Sequence, residues 1–171
     1  MQFKTSVALG ALAALAVAGG AAAAASAASA QAATPGTGTL TLTTQLTALQ
    51  FFSNTGPITG WPTAPLVPGD RIVGQDRILQ DGKLAGHDNE ACTVSFDRDV
   101  LCQDILILDG QGDMQVSWTF RWPATGPQGP ASFDGIIDGG TGSFRAAHGW
   151  FHAQALPGGA LKITATINGD G

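Results

Sequence analysis

The stretch GGTGSFRAAHGW, residues 139–150, places three glycines within four positions, directly before an alternating segment. Glycine adopts backbone conformations that a Cβ atom forbids, so such a cluster is typical of a tight turn. Alternation with a period of two is typical of a β-strand. The stretch therefore predicts a sharp corner that leads into a strand over residues 144–156.

Outward from this corner, seven more segments have the composition or alternation of strands. They cover residues 39–52, 71–80, 83–96, 101–108, 114–122, 131–138 and 160–167. Turn sequences such as DG at 81–82, DGQG at 109–112 and PGG at 157–159 separate them. The proline-rich residues 53–68 predict a long surface loop. Eight strands joined by turns predict an all-β protein, either an eight-stranded antiparallel up-and-down β-barrel of the calycin-like type or a sandwich.

The first thirty residues predict a secretory signal peptide. Lys4 precedes an apolar stretch at 6–18, and small residues follow up to Ala30. A retained membrane anchor is the alternative. We expect cleavage after Ala30, a flexible tether at 31–38, one domain over 39–171, secretion, and no membrane contact once the leader is removed. The chain carries 8 basic and 13 acidic residues, so nucleic acid is not an expected partner.

Two cysteines, Cys92 and Cys102, stand ten positions apart in this exported chain. Val94 and Val100 lie symmetrically between them, which predicts a hairpin with a cross-strand disulfide, since an oxidising compartment favours the bond. Two free thiols are the competing interpretation. The spacing does not fit a zinc site, and no metal is predicted.

Residues 113–122 indicate which face of a strand is buried. Met114, Val116, Trp118, Phe120 and Trp122 alternate with polar residues. A period of two puts the apolar set inside the barrel. There its aromatic rings either pack as ordinary core or line a ligand cavity.

Two patterns carry a family resemblance. The pattern GGTG-x-F-x-x-A-x-G at 139–149, with GDRIVGQDRILQDGKLAG at 69–86, resembles the allene oxide cyclase and dirigent superfamily of small antiparallel barrels. The resemblance implies that such a barrel steers the cyclisation or coupling of small organic molecules.

The resemblance also implies candidate site residues. His148 stands where dirigent proteins carry a cavity arginine, and Asp76 where allene oxide cyclases have an asparagine that helps hold substrate or water. Cys92 matches a cavity cysteine of those enzymes. The plant cyclases use a glutamate on the first strand, whereas this chain has no acid before Asp70, so the resemblance does not extend to an allene oxide as substrate.

From these observations we predict His148 and Asp76 as catalytic residues that move a proton. Six residues are predicted to contact the ligand: Trp118, Phe120, Trp122, Trp150, His152 and Asp104. The two histidines are placed inside because they share a strand face with Trp150, and Asp104 shares one with Cys102. The alternatives without a functional role are that the histidines pack in the core and that the two aspartates are solvated at the rim of the barrel.

The resulting hypothesis is a secreted barrel that binds a small apolar or aromatic molecule and guides a stereoselective cyclisation or coupling without a cofactor. A non-catalytic carrier and a structural barrel that acts as a homo-oligomer are the alternatives.

Overall fold

The computed structural model describes residues 38–60, 62, 64–122 and 129–169, which fold into a closed antiparallel β-barrel. Nine strands are formed by the described residues: β1 Gly38–Ser53, β2 Gly56–Ile58, β3 Arg71–Gln80, β4 Lys83–Val94, β5 Asp99–Leu108, β6 Gly112–Arg121, β7 Ser132–Gly140, β8 His148–Ala155 and β9 Ala160–Asn168. Two short 3₁₀ turns, Phe96–Arg98 and Gly142–Phe144, precede β5 and β8. The predicted signal peptide, and the tether apart from Gly38, lie outside the described residues.

Each barrel strand pairs with the next one along the chain, in the order β1, β3, β4, β5, β6, β7, β8, β9. The barrel closes because β9 also pairs with β1, from Gly38 opposite Ile167 to Gln45 opposite Ala160. The prediction of an eight-stranded up-and-down barrel is therefore confirmed. Within the described ranges, no helix has the length and apolar character needed to cross a bilayer.

The segment predicted as a loop, residues 53–68, contains one short strand. β2 pairs with the end of β1, where Phe51 lies opposite Ile58. Leu66 from the same segment is buried beside Phe51 and Trp122, so this part of the connection covers one end of the barrel. The loop prediction is therefore wrong for Gly56–Ile58, the one strand that lies within the described residues of this segment.

The glycine-rich corner is as tight as the sequence predicts. Gly142 has φ +57°, and a Cβ atom there would lie 2.4 Å from the Gln111 carbonyl oxygen. The corner is longer than predicted, however, because Phe144 belongs to a 3₁₀ turn and Ala146 has φ +60°. As a result β8 begins at His148 and not at Phe144.

The barrel interior has two apolar clusters. One contains Leu42, Ile78, Leu106, Met114 and Phe151 with their neighbours. The other contains Phe51, Ile72, Val94, Val100 and Trp122 together with both cysteines. On β3, β4 and β5 the inward residues between the two clusters are acidic.

An acidic cavity inside the barrel

A cavity of about 30 Å³, room for roughly two water molecules, lies in the barrel between strands β1, β3–β9. Its walls combine four acids with apolar and aromatic side chains. The lining residues are Thr44, Asp76, Asp88, Glu90, Asp104, Leu106, Met114, Val116, Trp118, Phe133, Phe151, Leu161 and Ile163. The site is thus acidic on one side and apolar on the other.

Strand alternation brings the four acids to the same place. Asp76 on β3 shares its face with the buried Ile72 and Ile78. Asp88 and Glu90 on β4 share theirs with Cys92, and Asp104 on β5 follows Cys102 by two residues. Because successive side chains point to opposite faces of a strand, all four carboxyl groups point inward.

One hydrogen bond fixes the acids of β3 and β4 relative to each other. The pairing of these strands runs from Arg71 to Gly74 on β3 and resumes at Arg77. In the gap, the Asp76 backbone N–H donates to Asp88 Oδ1 at 2.8 Å. Asp88 therefore completes the backbone bonding of β3 and is held toward the cavity.

Burial makes the four acids hold their protons more tightly than usual. Burial and the charges of Asp88 and Glu90 raise the pKa of Asp104 to about 8. Burial and the neighbouring acids raise the pKa values of Asp88 and Glu90 to about 7, and burial also raises the pKa of Asp76. A low dielectric and nearby like charges both disfavour the ionised form. Carboxylic acids are therefore available as proton donors near neutral pH.

Asp104 has an unsatisfied oxygen. Its side chain is 7% exposed, and Oδ1 is buried without a hydrogen-bond partner among the described residues. An unpaired buried polar atom costs free energy, which a ligand that donates a hydrogen bond would recover.

The apolar wall is built around three aromatic rings. Trp118 stacks on Phe133 with centroids 5.3 Å apart, and Phe151 meets both rings edge-on at 6.0 and 6.1 Å. Phe151 is buried, whereas Trp118 and Phe133 are only partly buried. Of the three rings, Trp118 and Phe133 are therefore the two that reach solvent.

The predicted disulfide between Cys92 and Cys102 is confirmed, and it lies beside the four acids. Cys92 and Cys102 are bonded and face each other across β4 and β5. Glu90 Oε1 lies 2.8 Å from Cys92 Sγ.

The residues that the structure describes do not form a site in which three available ligand atoms could share a metal ion. Among them, the one set of three metal-ligating groups with atoms close enough to share an ion is Glu90, Cys92 and Cys102. Sulfurs joined in a disulfide cannot ligate as thiolates. The oxygen atoms of the four acids do not form such a set.

The predicted inward orientation of His148, Trp150 and His152 is wrong. All three side chains are exposed on the outer face of β8, while Phe151 and Ala153 point inward. His152 Nδ1 lies 2.7 Å from Asp134 Oδ1 on that outer face. The prediction assumes an unbroken strand over residues 144–156, whereas the 3₁₀ turn at Gly142–Phe144 shifts the alternation by one residue before His148. His148 and Asp76 therefore lie on opposite faces of the barrel wall.

The other predicted residues do face the interior. Trp118, Asp76 and Asp104 line the cavity. Phe120 and Trp122 point inward but pack in the apolar cluster with Phe51 and the disulfide, away from the acids. Their predicted contact with a ligand stays a prediction.

Sequence reasoning missed Asp88, Glu90, Phe133 and Phe151. The signal for the two acids was present, since they stand four and two positions before Cys92 on one uninterrupted strand. Phe151 stands at the parity of Ala153 and Ala155, a small apolar series opposite to the polar one of His148, His152 and Gln154. That alternation by itself favoured the face that the structure shows.

Comparison with known proteins identifies the fold. No family model and no curated protein sequence matches the chain. The chain is similar in structure to a pyocyanin demethylase, with a TM-score of 0.59, 22% identity and coverage of 76% of this chain and 99% of that one.

Two cyclase structures are also similar. The Diels–Alderase AbmU from Streptomyces koyangensis has a TM-score of 0.55 and 16% identity over 77% of this chain. A nonspecific heme-binding cyclase that catalyses [4 + 2] cycloaddition during neoabyssomicin biosynthesis has a TM-score of 0.50 and 17% identity over 76% of it. The chain spans 64% and 63% of these two proteins. At such identities the likeness shows a barrel fold of the kind that these cyclases use. It does not single out the allene oxide cyclase superfamily.

Proposed function

We propose that the protein binds a small, largely apolar organic molecule in the acidic cavity and promotes its rearrangement, most simply a cyclisation, without a cofactor. The main support for this proposal is that four inward carboxyl groups face an aromatic wall in one cavity. Similar barrels that are named as cyclases support a cyclisation-type reaction.

In the proposed mechanism the two sides of the cavity have separate tasks. Trp118, Phe133 and Phe151 hold the substrate in one folded conformation, which lowers the entropic part of the barrier and selects the stereochemistry. An acid of the cavity that remains protonated beside the bound substrate donates its proton to a substrate oxygen or nitrogen as charge develops there, while Asp104 holds the substrate in place. The proton returns to the same acid when the product forms, so the reaction consumes no co-reactant.

The size of the cavity sets a condition on this proposal. A volume of about 30 Å³ does not hold an aromatic molecule. We infer that the partly exposed rings of Trp118 and Phe133 move outward on binding, because packing holds them less firmly than the buried Phe151.

We also propose that the protein is related to the allene oxide cyclase and dirigent superfamily, that it is secreted and that it self-associates. The GGTG corner and the inward Asp76 support the relationship. The leader-like residues 1–30 and the disulfide support secretion. Ile136 and Trp150, which are exposed and directly opposite each other on β7 and β8, support a homo-oligomer, which light scattering of the purified protein would detect.

Native mass spectrometry of protein purified from its own culture medium tests the binding step. We expect a retained organic molecule that is lost on denaturation. Single-turnover conversion of this molecule or its precursor then tests catalysis, and we expect a large loss of rate in Asp104→Asn. Binding without conversion by the wild type would establish the carrier alternative, and the absence of any bound molecule or bound aromatic probe would refute the proposal.

A further inference from the structure

The basic residues of the barrel that the structure describes all lie on its outer surface. Every described Lys, Arg and His side chain is exposed, namely Arg71, Arg77, Lys83, His87, Arg98, Arg121, Arg145, His148, His152 and Lys162. The residues that line the cavity include four acids and no basic group. The interior acids therefore have no positive partner within the described protein.

Isolated buried carboxylates are unfavourable, and proteins normally pair them or keep them protonated. Here the inward acids come from three adjacent strands and face one another. The strands that complete the cavity wall add Thr44 and apolar or aromatic side chains but no titratable group. A ligand is therefore the available source of positive charge.

Asp104 shows where such a charge would be received. Its buried Oδ1 atom has no hydrogen-bond partner among the described residues and belongs to the cavity wall. An ammonium group carries N–H donors in several directions and can bond Asp104 while it remains near Glu90. Trp118 also lines the cavity, and an indole ring attracts a cation that lies over its face.

We infer that the ligand of this cavity is an organic cation, a protonated amine on an apolar or aromatic body. The inference rests on the proposed binding site and names the chemical class that the site selects. A divalent metal fits less well, because the oxygen atoms of the acids do not converge closely enough to share one ion.

Proton release should accompany binding. The acids that face the ligand are Asp76, Asp88, Glu90 and Asp104, and burial and mutual repulsion raise their pKa values. A bound cation favours the ionised acids and so expels protons from them. The affinity for a cation should therefore rise between pH 6 and 8, whereas the affinity for a neutral molecule of the same shape should not rise.

Three probes of similar size separate the possibilities: benzylammonium, benzyl alcohol and benzoate. Isothermal titration at pH 8 should show benzylammonium binding at least tenfold more tightly than the alcohol, with benzoate weakest. Titrations in buffers of different ionisation enthalpy should show proton release for the cation only.

Asp104→Asn keeps the shape of the side chain and removes the charge, so it should reduce the preference for the cation at least tenfold. Asp81→Asn makes the same charge change in the exposed β3–β4 turn, where Asp81 has φ +52°, a conformation that asparagine tolerates. This control should bind like the wild type. Circular dichroism would check the fold of both variants.

The possible outcomes test the preference for a cation separately from the existence of the binding site. Equal or stronger binding of benzyl alcohol than of benzylammonium would overturn the cation inference and leave the binding site intact. An unchanged preference in folded Asp104→Asn would also overturn it. No binding of any probe would refute the proposed function itself.

Discussion

Glu90 and Asp104 lie directly opposite each other across β4 and β5, both facing the barrel interior. The next pair on the same inward face of these two strands is the Cys92–Cys102 disulfide, which holds the strands together beside the acids. Like charges directly opposite each other destabilise an antiparallel pair. The fold therefore tolerates this arrangement best when at least one of the two acids is protonated.

The first prediction is that stability falls as the pH rises. The folded-state pKa values of Asp88, Glu90 and Asp104 are about 7, 7 and 8, above the ordinary values of 3.8 to 4.5. Between roughly pH 4 and pH 8 the folded protein holds protons that the unfolded chain has released, so the free energy of unfolding decreases across this range. Urea denaturation at pH 5, 7 and 9 should show this order, and greater stability at pH 9 than at pH 5 would contradict it.

Asp104→Asn should stabilise the protein at alkaline pH. The substitution removes a carboxylate that burial and like charges disfavour, so the free energy of unfolding at pH 9 should rise by more than about 1.4 kcal/mol, the equivalent of one pKa unit. The gain should disappear at pH 5, where Asp104 is protonated. Asp81→Asn serves as the exposed control. An equal gain in that variant would show that the gain at pH 9 does not come from the burial of Asp104.

The disulfide should contribute a measurable part of the stability. Replacing Cys92 and Cys102 together by alanine should lower the free energy of unfolding by roughly 2–3 kcal/mol, as expected from loop entropy for so short a loop. Chemical denaturation of the oxidised protein and the double variant measures this difference. Intact mass after alkylation without reductant checks the starting state, and two alkylated cysteines there would show that the bridge is absent.

Gly135→Ala should disturb the aromatic wall. A Cβ atom at Gly135 would lie 2.3 Å from the Phe151 ring and 2.6 Å from the Ser117 carbonyl oxygen. Overpacking of this kind typically costs about 1–3 kcal/mol. Gly129→Ala is the matched control, since nothing lies within 4 Å of the added atom there. Thermal unfolding of both variants compares them, and equal melting temperatures would show that Phe151 moves aside freely.

Asp76→Asn and His148→Phe should differ in ligand binding. Asp76 lines the cavity, whereas His148 is exposed on the outer face of β8. We expect the first variant to weaken benzylammonium binding severalfold and the second to leave it unchanged. Titration calorimetry of each variant measures the effect. A larger loss of benzylammonium affinity in His148→Phe would show that the histidine takes part in binding.

How far the sequence predicts the fold is clearest on β6. Within residues 113–122, Met114, Val116 and Trp122 are buried as their alternation predicts, and Trp118 and Phe120 are partly buried. Turn sequences separated the eight barrel strands, although they misplaced the start of β8 and left out β2. The symmetry around Cys92 and Cys102 predicted the pairing of these two residues. Such features depend on local geometry, which the sequence of one strand or one hairpin contains in full.

The site itself needed the tertiary structure for two physical reasons. Alternation gives relative faces only along an unbroken strand, and the 3₁₀ turn with Ala146 at positive φ resets the phase before β8. The convergence of Asp76, Asp88, Glu90 and Asp104 depends on the register between three strands and on closure of β9 against β1. The sequence by itself determined the strands, the turns and the disulfide. Only the closed barrel decided that four acids share one interior cavity and that both histidines of β8 remain outside it.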